Sequence, residues 1–228
     1  MTGLILKLSF NTVGEANLEG GICGSFFFIS SNLVVTAQHV LNSNTFKPNV
    51  GFSKCQVWLI AQPNIIIEIK LKDIIEHSEI DTTLIQLSKS FPIKVRNSSL
   101  NNVDSGHECY NEGFTGGQMP NLKVSWDPNG LIISSCSDNK IIANGHGQIK
   151  QKYIMTVNAT DIKMTNVIGY ATSYGGVVGM SGGPLVCKQT DEILGLMSMG
   201  LPADNPIKDS LFAVSIQEIN NRIKNGSS

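Results

Sequence analysis

The length, composition and charge of the chain set the first limits on what it can be. Its 228 residues are 41% hydrophobic and 15% charged, which is enough to bury one large core or two smaller packed cores. The formal net charge is −1, from 17 basic and 18 acidic residues, and no run of Lys and Arg could follow a phosphate backbone, so nucleic acid is not an expected partner.

The N-terminal segment does not resemble a secretory leader. Its apolar run Leu4–Leu6 is followed by Lys7 and Ser9, and it lacks the basic start, long apolar stretch and small-residue cleavage site of a signal peptide. No stretch elsewhere approaches the roughly 20 apolar residues of a membrane span. We therefore expect no membrane span. The protein is expected to be cytoplasmic, to have had a leader trimmed from it, or to be exported by a signal-independent route.

The first half of the chain is predicted to consist of short strands. The candidate strands are rich in β-branched and aromatic residues, and turn-forming clusters lie among them at the spacing of a sandwich or barrel. The candidate strands are Phe26–Ile29, Asn32–Thr36, Gln56–Ile60, Ile65–Ile69 and Thr83–Leu87, and the predicted turns are Gly20-Gly21, Ser30–Asn32 and Asn42–Asn44.

A polar stretch at Asn97–Asn102 interrupts this pattern, and we place the join between two halves there. After a turn at Asp127–Gly130, strand-like runs resume at Leu131–Ile133 and Tyr153–Val157. The chain is thus expected to divide into residues 1–100, residues 101–212, and a C-terminal helix and tail over 213–228.

The predicted C-terminal helix has a start signal, an apolar face and a stop signal. Ser215 can cap its N-terminus, with Glu218 three residues later as in a capping box. The side chains of Ile216, Ile219 and Ile223 share one face, and Gly226 is a typical helix end.

The five cysteines give no sign of a metal or redox site. They are odd in number and scattered, with no Cys-x-x-Cys pair, and we expect reduced, mostly buried thiols. They are Cys23, Cys55, Cys109, Cys136 and Cys187.

The most informative segment is Gly179–Leu185, with the sequence Gly-Met-Ser-Gly-Gly-Pro-Leu. A serine that attacks a carbonyl carbon needs a nearby base and hydrogen-bond donors for the oxyanion that develops. Glycines around Ser181 allow a tight turn whose N–H groups face the substrate, and we assign an oxyanion hole to the N–H groups of Gly179 and Ser181. Taken alone, the segment could be an ordinary Gly-Gly-Pro turn.

Two further residues could complete this site. His39 follows the strand-like Asn32–Val35, and Asp81 precedes the apolar run of Thr82–Leu87. A lone histidine is more often a packed side chain, and a lone aspartate before a strand is usually a turn residue. Asp73 is the alternative acid, although it lies among charged residues typical of a solvated face. The remaining histidines, His77, His107 and His146, have no motif around them.

Taken together, these three segments resemble the histidine, aspartate and serine motifs of chymotrypsin-like serine proteases. His39 and Asp81 are 42 residues apart, and Asp81 and Ser181 are 100 apart. The order His, Asp, Ser differs from that of subtilisin-like enzymes and α/β-hydrolases. The resemblance extends to Cys23–Ser25, Cys109–Phe114, Gly195–Gly200 and Leu211–Val214, and the serine segment also resembles bacterial Deg-type proteases, here without a PDZ domain.

The resemblance implies a fold and an activity. The expected fold is all-β, with two packed six-stranded antiparallel β-barrels and a C-terminal helix. The expected activity is that of a serine endopeptidase, with His39 as general base, Asp81 orienting it and Ser181 as nucleophile. The implied partner is a protein or peptide substrate, and no metal or cofactor is implied.

The resemblance also implies where the substrate side chain binds. The floor of the primary pocket falls near Gly175, and one wall is formed by Ser198, Met199 and Gly200. Neither segment contains an acid, so we expect an apolar or aromatic residue before the scissile bond, unless Asp204 or Asp209 reaches the pocket.

The sequence departs from the secreted members of the family at two positions. Val40 stands where many of them have a cysteine that pairs with the one at Cys23, so that disulfide cannot form. Met180 stands where digestive zymogens have an aspartate that binds the newly cut N-terminal amine. We therefore expect an oxyanion hole that is formed constitutively, or by contact with a substrate or a partner of unknown identity. Cys109 and Cys187 fall at positions that are bridged by a disulfide in many relatives. In a reducing compartment we expect both to be thiols.

Two other functions use the same residues. A chymotrypsin-like chain can be a catalytically silent binding module, although an intact triad and glycine-rich hole argue against it. An esterase would use the same triad.

Overall fold

Strands make up most of the molecule in this computed structural model, which describes residues 1–11, 18–61, 65–99, 103–137, 142–201 and 209–225. The strands of the first half are β1 (Thr2–Phe10), β2 (Glu19–Phe28), β3 (Leu33–Ala37), β4 (Lys54–Ala61), β5 (Ile65–Ile69), β6 (Ile74–His77) and β7 (Thr82–Gln86). Those of the second half are β8 (Glu108–Gly113), β9 (Asn121–Asp127), β10 (Gly130–Ser137), β11 (Ile142–Asn158), β12 (Lys163–Thr172), β13 (Pro184–Cys187), β14 (Ile193–Gly200) and β15 (Leu211–Ser215), followed by helix α1 (Ile216–Asn225).

The first half is one antiparallel sheet in the order β5-β4-β1-β2-β3-β7-β6. Its apolar face closes over a core to which both edge strands contribute, Ile65 and Ile69 from β5 and Ile74 from β6. The sheet has seven strands rather than the six expected, because residues 74–77, after a short 3-10 helix, add β6 beside β7. The shared core shows that the sheet curls on itself as half of a chymotrypsin-like fold.

The predicted turn at Gly20-Gly21 is wrong. Both glycines lie within β2, opposite Leu8 and Lys7 of β1. A Cβ at position 20 would lie 2.0 Å from the carbonyl oxygen of Lys7, so glycine is needed here for close approach of two strands and not for a reversal of the chain.

The second half contains a closed six-stranded barrel in the order β11-β12-β15-β14-β13-β8. The hairpin of β9 and β10 stands outside this barrel and packs on the first half, where Leu131 and Ile133 join Leu6 and Leu8 in one apolar cluster. The all-β, chymotrypsin-like fold expected from the sequence is thus confirmed. The join was predicted at residues 97–102, of which residues 100–102 lie outside the described part of the chain.

The largest buried cluster lies between the two halves. Phe27 and Leu84 of the first half pack there with Phe212 and Val214 of the second. Burying large apolar side chains stabilises such a junction by roughly 1.5 to 3 kcal/mol each. The junction is therefore a shared core, and residues from both halves reach one cavity along it.

The C-terminal helix begins as predicted, with the N–H of Glu218 donating to Oγ of Ser215 at 3.1 Å. Ile216 and Ile219 are each 1% exposed and pack into the shared core. The predicted stop residue, Gly226, lies outside the described residues. Within the described ranges, no helix is long and apolar enough to cross a membrane.

Candidate active site

His39 and Asp81 meet because the strands that carry them are paired. β3 and β7 are antiparallel neighbours with Ala37 opposite Thr82. Gln38, which follows β3, therefore lies beside Asp81, which precedes β7, and its N–H donates to the carbonyl of Asp81 at 3.1 Å. His39 is the next residue. The backbone N–H of His39 donates to Oδ1 of Asp81 at 3.0 Å. This contact holds the turn that carries the imidazole against the carboxylate of Asp81.

The carboxylate of Asp81 is fully buried and holds the imidazole. Nδ1 of His39 lies 2.9 Å from Oδ2 of Asp81, and an ionised carboxylate can only accept, so Nδ1 carries the proton and Nε2 is left as a base. Oδ2 also accepts a hydrogen bond from Oγ of Ser198 at 2.5 Å. These bonds offset the cost of burying the charge of Asp81.

Ser181 lies in a turn that requires glycine on both sides. Gly179 and Gly182 have φ values of +96° and +87°, a region that L-residues rarely occupy. A Cβ at position 179 would lie 1.9 Å from the nitrogen of Gly116, and one at position 182 would lie 2.1 Å from the carbonyl oxygen of Ser25. The glycines of this motif thus serve both the turn and close packing.

His39 and Ser181 face the same cavity, of about 680 Å³. In the described part of the chain no hydrogen bond joins them, and Oγ of Ser181 donates instead to the carbonyl of Ser198 at 3.1 Å. Catalytic hydrogen bonds are often absent without substrate. Rotation of the Ser181 side chain about its Cα–Cβ bond would turn the hydroxyl away from Ser198.

The two N–H groups assigned to the oxyanion hole have no internal acceptor. Neither the N–H of Gly179 nor that of Ser181 donates to a described residue, although both residues line the cavity. Backbone donors near a protein interior are nearly always paired. Two free donors beside a serine hydroxyl therefore suit a ligand with a negatively charged oxygen.

The residues predicted to bind the substrate side chain also line this cavity. They are Gly175, Ser198, Met199 and Gly200, joined by the apolar side chains of Val177, Val178, Met197, Leu201 and Leu211. Sequence reasoning proposed Asp209 only as an exception, but Asp209 lines the cavity, and its carbonyl oxygen lies 3.6 Å from where a Cβ of Gly175 would be.

The remaining candidates lie elsewhere. Asp73, the alternative acid, caps the 3-10 helix by accepting the N–H of Lys70 at 2.8 Å. His77 faces Glu79, His107 contacts the carbonyl of Asp104 and His146 stacks on Tyr110. Among the described residues, no three His, Cys, Asp or Glu side chains are arranged to hold a metal ion.

Sequence reasoning missed two contacts of this site. Ser198 was assigned to the pocket wall, but its hydroxyl binds Asp81. Ser25 lies in the segment Cys23–Ser25 that carries part of the family resemblance, but its contact with the turn of Ser181 was not predicted. No sequence signal identifies either contact, because both join residues more than 100 positions apart.

Comparison with known proteins gives consistent results. The family model described as Trypsin matches residues 7–223. The active form of the Rv3671c protease from M. tuberculosis is 14% identical, with a TM-score of 0.61 over 97% of this chain and 79% of that chain. The HtrA-type protease AlgW with a decapeptide is 11% identical, with a TM-score of 0.60 over 98% of this chain and 64% of that chain. At these identities the neighbours show the fold. No match was found among curated protein sequences.

Proposed function

Because the chain belongs to the trypsin family, which supports a protease acting on peptides or proteins, we propose that it is a serine endopeptidase working through an acyl-enzyme. Its triad is His39, Asp81 and Ser181. The observation that carries this proposal is the buried Asp81 carboxylate bonded to Nδ1 of His39 at 2.9 Å, which leaves Nε2 free as a base in the cavity that Ser181 also lines.

In the first half-reaction, Nε2 of His39 takes the proton of Ser181 as Oγ attacks the peptide carbonyl. The N–H groups of Gly179 and Ser181 stabilise the oxyanion. Asp81 stabilises the imidazolium and stays ionised. The imidazolium then gives its proton to the departing amine, which leaves an ester on Oγ.

In the second half-reaction, water replaces the amine. Nε2 takes a proton from water as its oxygen attacks the ester carbonyl, and the proton returns to Oγ as the acid product leaves. Every proton transfer in this sequence uses side chains of this chain alone.

A fluorophosphonate probe tests the proposal directly, because it reacts only with a serine whose hydroxyl is activated. We expect one label per chain on Ser181, and no label on the Ser181→Ala variant. A folded wild-type chain that takes no label would support the silent binding module instead.

Peptidase and esterase functions are separated by substrate. We expect a defined peptide library, read by mass spectrometry, to show new internal cleavage sites that are absent with Ser181→Ala. Turnover of acyl esters with no cleavage anywhere in the library would support the esterase.

A further inference from the structure

Ser25 takes no part in the catalytic steps described above, but it lies beside the residues that carry them out. It lies in β2, is 0% exposed, and contacts the segment Val177–Ser181, called here the oxyanion loop. A buried hydroxyl next to a catalytic loop must have its hydrogen bonds satisfied by its neighbours, and here those neighbours are the loop and Phe114, the residue that follows β8.

Ser25 joins three separate parts of the chain. Its Oγ donates to the carbonyl of Gly179 at 3.0 Å and accepts the N–H of Phe114 at 2.9 Å. Its backbone N–H donates to the carbonyl of Ser181 at 2.8 Å. The carbonyl of Ser25 is in turn held by Oγ1 of Thr36 at 2.7 Å, so the residue is fixed from both sides.

Every carbonyl of the oxyanion loop accepts a hydrogen bond. Two carbonyls bind Ser25, and the others bind backbone N–H groups at 2.9 to 3.2 Å. These pairs are Val177 with Met180, Val178 with Gly116, and Met180 with Gly183. Each carbonyl of the loop is thus held in place. The N–H groups of Gly179 and Ser181, like those of Val177 and Val178, donate to no described residue, and Gly179 and Ser181 both line the cavity.

The hydroxyl of Ser25 holds one peptide of the loop by its carbonyl oxygen. This peptide joins Gly179 to Met180 and lies between the two peptides that carry the N–H groups of Gly179 and Ser181. Gly179 has no Cβ to restrict its backbone, and an uncompensated rotation of this peptide would change the direction of the Ser181 N–H relative to the Gly179 N–H. The peptide that carries the Gly179 N–H is itself held by Gly116, which donates to the carbonyl of Val178 at 2.9 Å. The hydroxyl of Ser25 opposes this rotation at the carbonyl of Gly179, and the N–H of Met180, which donates to the carbonyl of Val177 at 3.2 Å, opposes it at the other end of the peptide.

The oxyanion loop has no ion pair that could hold its peptides in place. Met180 is 2% exposed, and its sulfur receives only the amide of Asn111 at 3.5 Å. We propose that Ser25 is a positioning residue that holds the oxyanion hole open constitutively, so that no newly cut amine or partner is needed to form it. This inference rests on the proposed function, and it assigns the regulation of that same site.

Ser25→Ala tests the proposal, because it removes the hydroxyl and leaves the carbonyl of Gly179 and the N–H of Phe114 without their partner. Donors of the hole bind the transition state more tightly than the substrate. We expect kcat to fall about 100-fold, as when one such donor is lost, with KM nearly unchanged. Affinity for a peptide boronic acid should fall in parallel with kcat/KM.

Two further variants separate positioning from a general loss of structure. Ser25→Cys keeps the shape but supplies a weaker donor, so its kcat should fall between those of Ser25 and Ser25→Ala. Ser215→Ala is the matched control, because it deletes another buried hydroxyl that caps α1 far from the loop, and its kcat should stay within about twofold of the wild-type value.

The outcomes distinguish this proposal from the proposed function. A wild-type chain that takes no fluorophosphonate label contradicts the function. An active wild-type chain whose Ser25→Ala variant keeps its kcat contradicts the role of Ser25 alone. A crystal structure of Ser25→Ala decides the point without activity: the carbonyl of Gly179 should turn away from its wild-type direction, and an unmoved carbonyl would overturn the proposal.

Discussion

Asp81 contacts His39 at two places, through the backbone N–H at 3.0 Å and through Nδ1 at 2.9 Å. The first contact places the histidine, and the second sets which ring nitrogen carries the proton. An amide at position 81 could preserve the first contact through its oxygen while presenting an N–H group to Nδ1. The two contacts therefore respond differently to substitution.

Asp81→Asn should thus keep the fold, but it should no longer hold the proton of the His39 ring on Nδ1. We expect kcat to fall roughly 10⁴-fold, whereas His39→Ala and Ser181→Ala should each cost roughly 10⁶-fold. The measurement is hydrolysis of a fluorogenic peptide found by library cleavage. Asp73→Asn is the matched control, since that carboxylate only caps a 3-10 helix. Near-full activity of the His39 variant would refute the triad.

Specificity depends on the balance between apolar walls and one acid. Val177, Val178 and Met199 line the cavity together with Asp209, which is exposed to solvent, so water screens its charge. We expect an apolar or aromatic residue before the scissile bond to be preferred, with Lys and Arg cleaved more slowly.

Asp209→Asn tests this balance. It should lower kcat/KM for substrates with Lys before the scissile bond about 1.5- to 5-fold, as expected for an exposed ion pair, and leave apolar substrates unchanged. Paired peptides that differ only at that position give the comparison. A wild-type profile dominated by Lys and Arg would show that Asp209 controls the pocket.

Local patterns in the sequence were sufficient to predict an all-β chain, and the resemblance carried by the segments of His39, Asp81 and Ser181 implied the chymotrypsin-like fold and the pocket residues that line the cavity. Alternating apolar runs mark strands, and Gly-Met-Ser-Gly-Gly marks a turn that only glycine permits. The assignments of triad and oxyanion roles remain predictions. The sequence could not predict the contacts of Ser25 with Gly179 or of Ser198 with Asp81, since these depend on how distant strands pack.

Two other features of the fold could not be predicted from the sequence either, because they depend on neighbouring strands. Gly20-Gly21 has the composition of a turn, but it lies in β2 because β1 approaches closely there. Ile74 and Ile75 lie among the charged residues Lys72, Asp73 and Glu76, and no strand was predicted there, yet β6 pairs along β7. Pairing with a neighbour supplies the backbone hydrogen bonds of an edge strand, so local propensity does not decide its structure.

The thiols of Cys109 and Cys187 lie directly opposite each other on β8 and β13. Both are free. The N–H of Lys188 donates to the carbonyl of Glu108 at 3.0 Å one position along, which makes the cysteines a non-hydrogen-bonded pair with close side chains. Burial raises the pKa of Cys109 to about 11, so little thiolate forms at neutral pH.

We therefore expect slow alkylation of Cys109 in the folded protein and slow, specific formation of a Cys109–Cys187 disulfide with an oxidant. The bridge should raise the free energy of unfolding by about 2 to 4 kcal/mol. Peptide mapping and thermal unfolding with and without reductant measure both effects, with Cys187→Ser as control. Oxidation that instead joins Cys23 to Cys55 would contradict this assignment.

Arg96 links the two halves through Glu112 of β8. Its two terminal nitrogens lie 2.7 Å from Oε1 and Oε2 of Glu112, and Oγ1 of Thr2 donates to Oε2 at 2.6 Å. Burial works against the charge of Glu112, but the bonds from Arg96 and Thr2 outweigh it and lower its pKa. A lowered pKa in the folded state stabilises the protein above the unfolded value of about 4.3, and this stabilisation is lost as the pH falls through the folded value.

Glu112→Gln should therefore destabilise the protein most at neutral pH. Losing charged hydrogen bonds of this kind costs about 2 kcal/mol, which corresponds to a fall in Tm of roughly 4 to 8 °C for a chain of this size. The difference from wild type should shrink as the pH falls below about 4, because protonation weakens the same bonds in the wild-type protein. Glu108→Gln is the matched control, since Glu108 pairs with Lys188 at 3.3 Å on the exposed surface and should contribute less than about 1 kcal/mol. Thermal unfolding followed by circular dichroism from pH 7 to pH 3 gives both comparisons, and a Tm difference for Glu112→Gln that stays constant over that range would show that its carboxylate charge does not stabilise the junction.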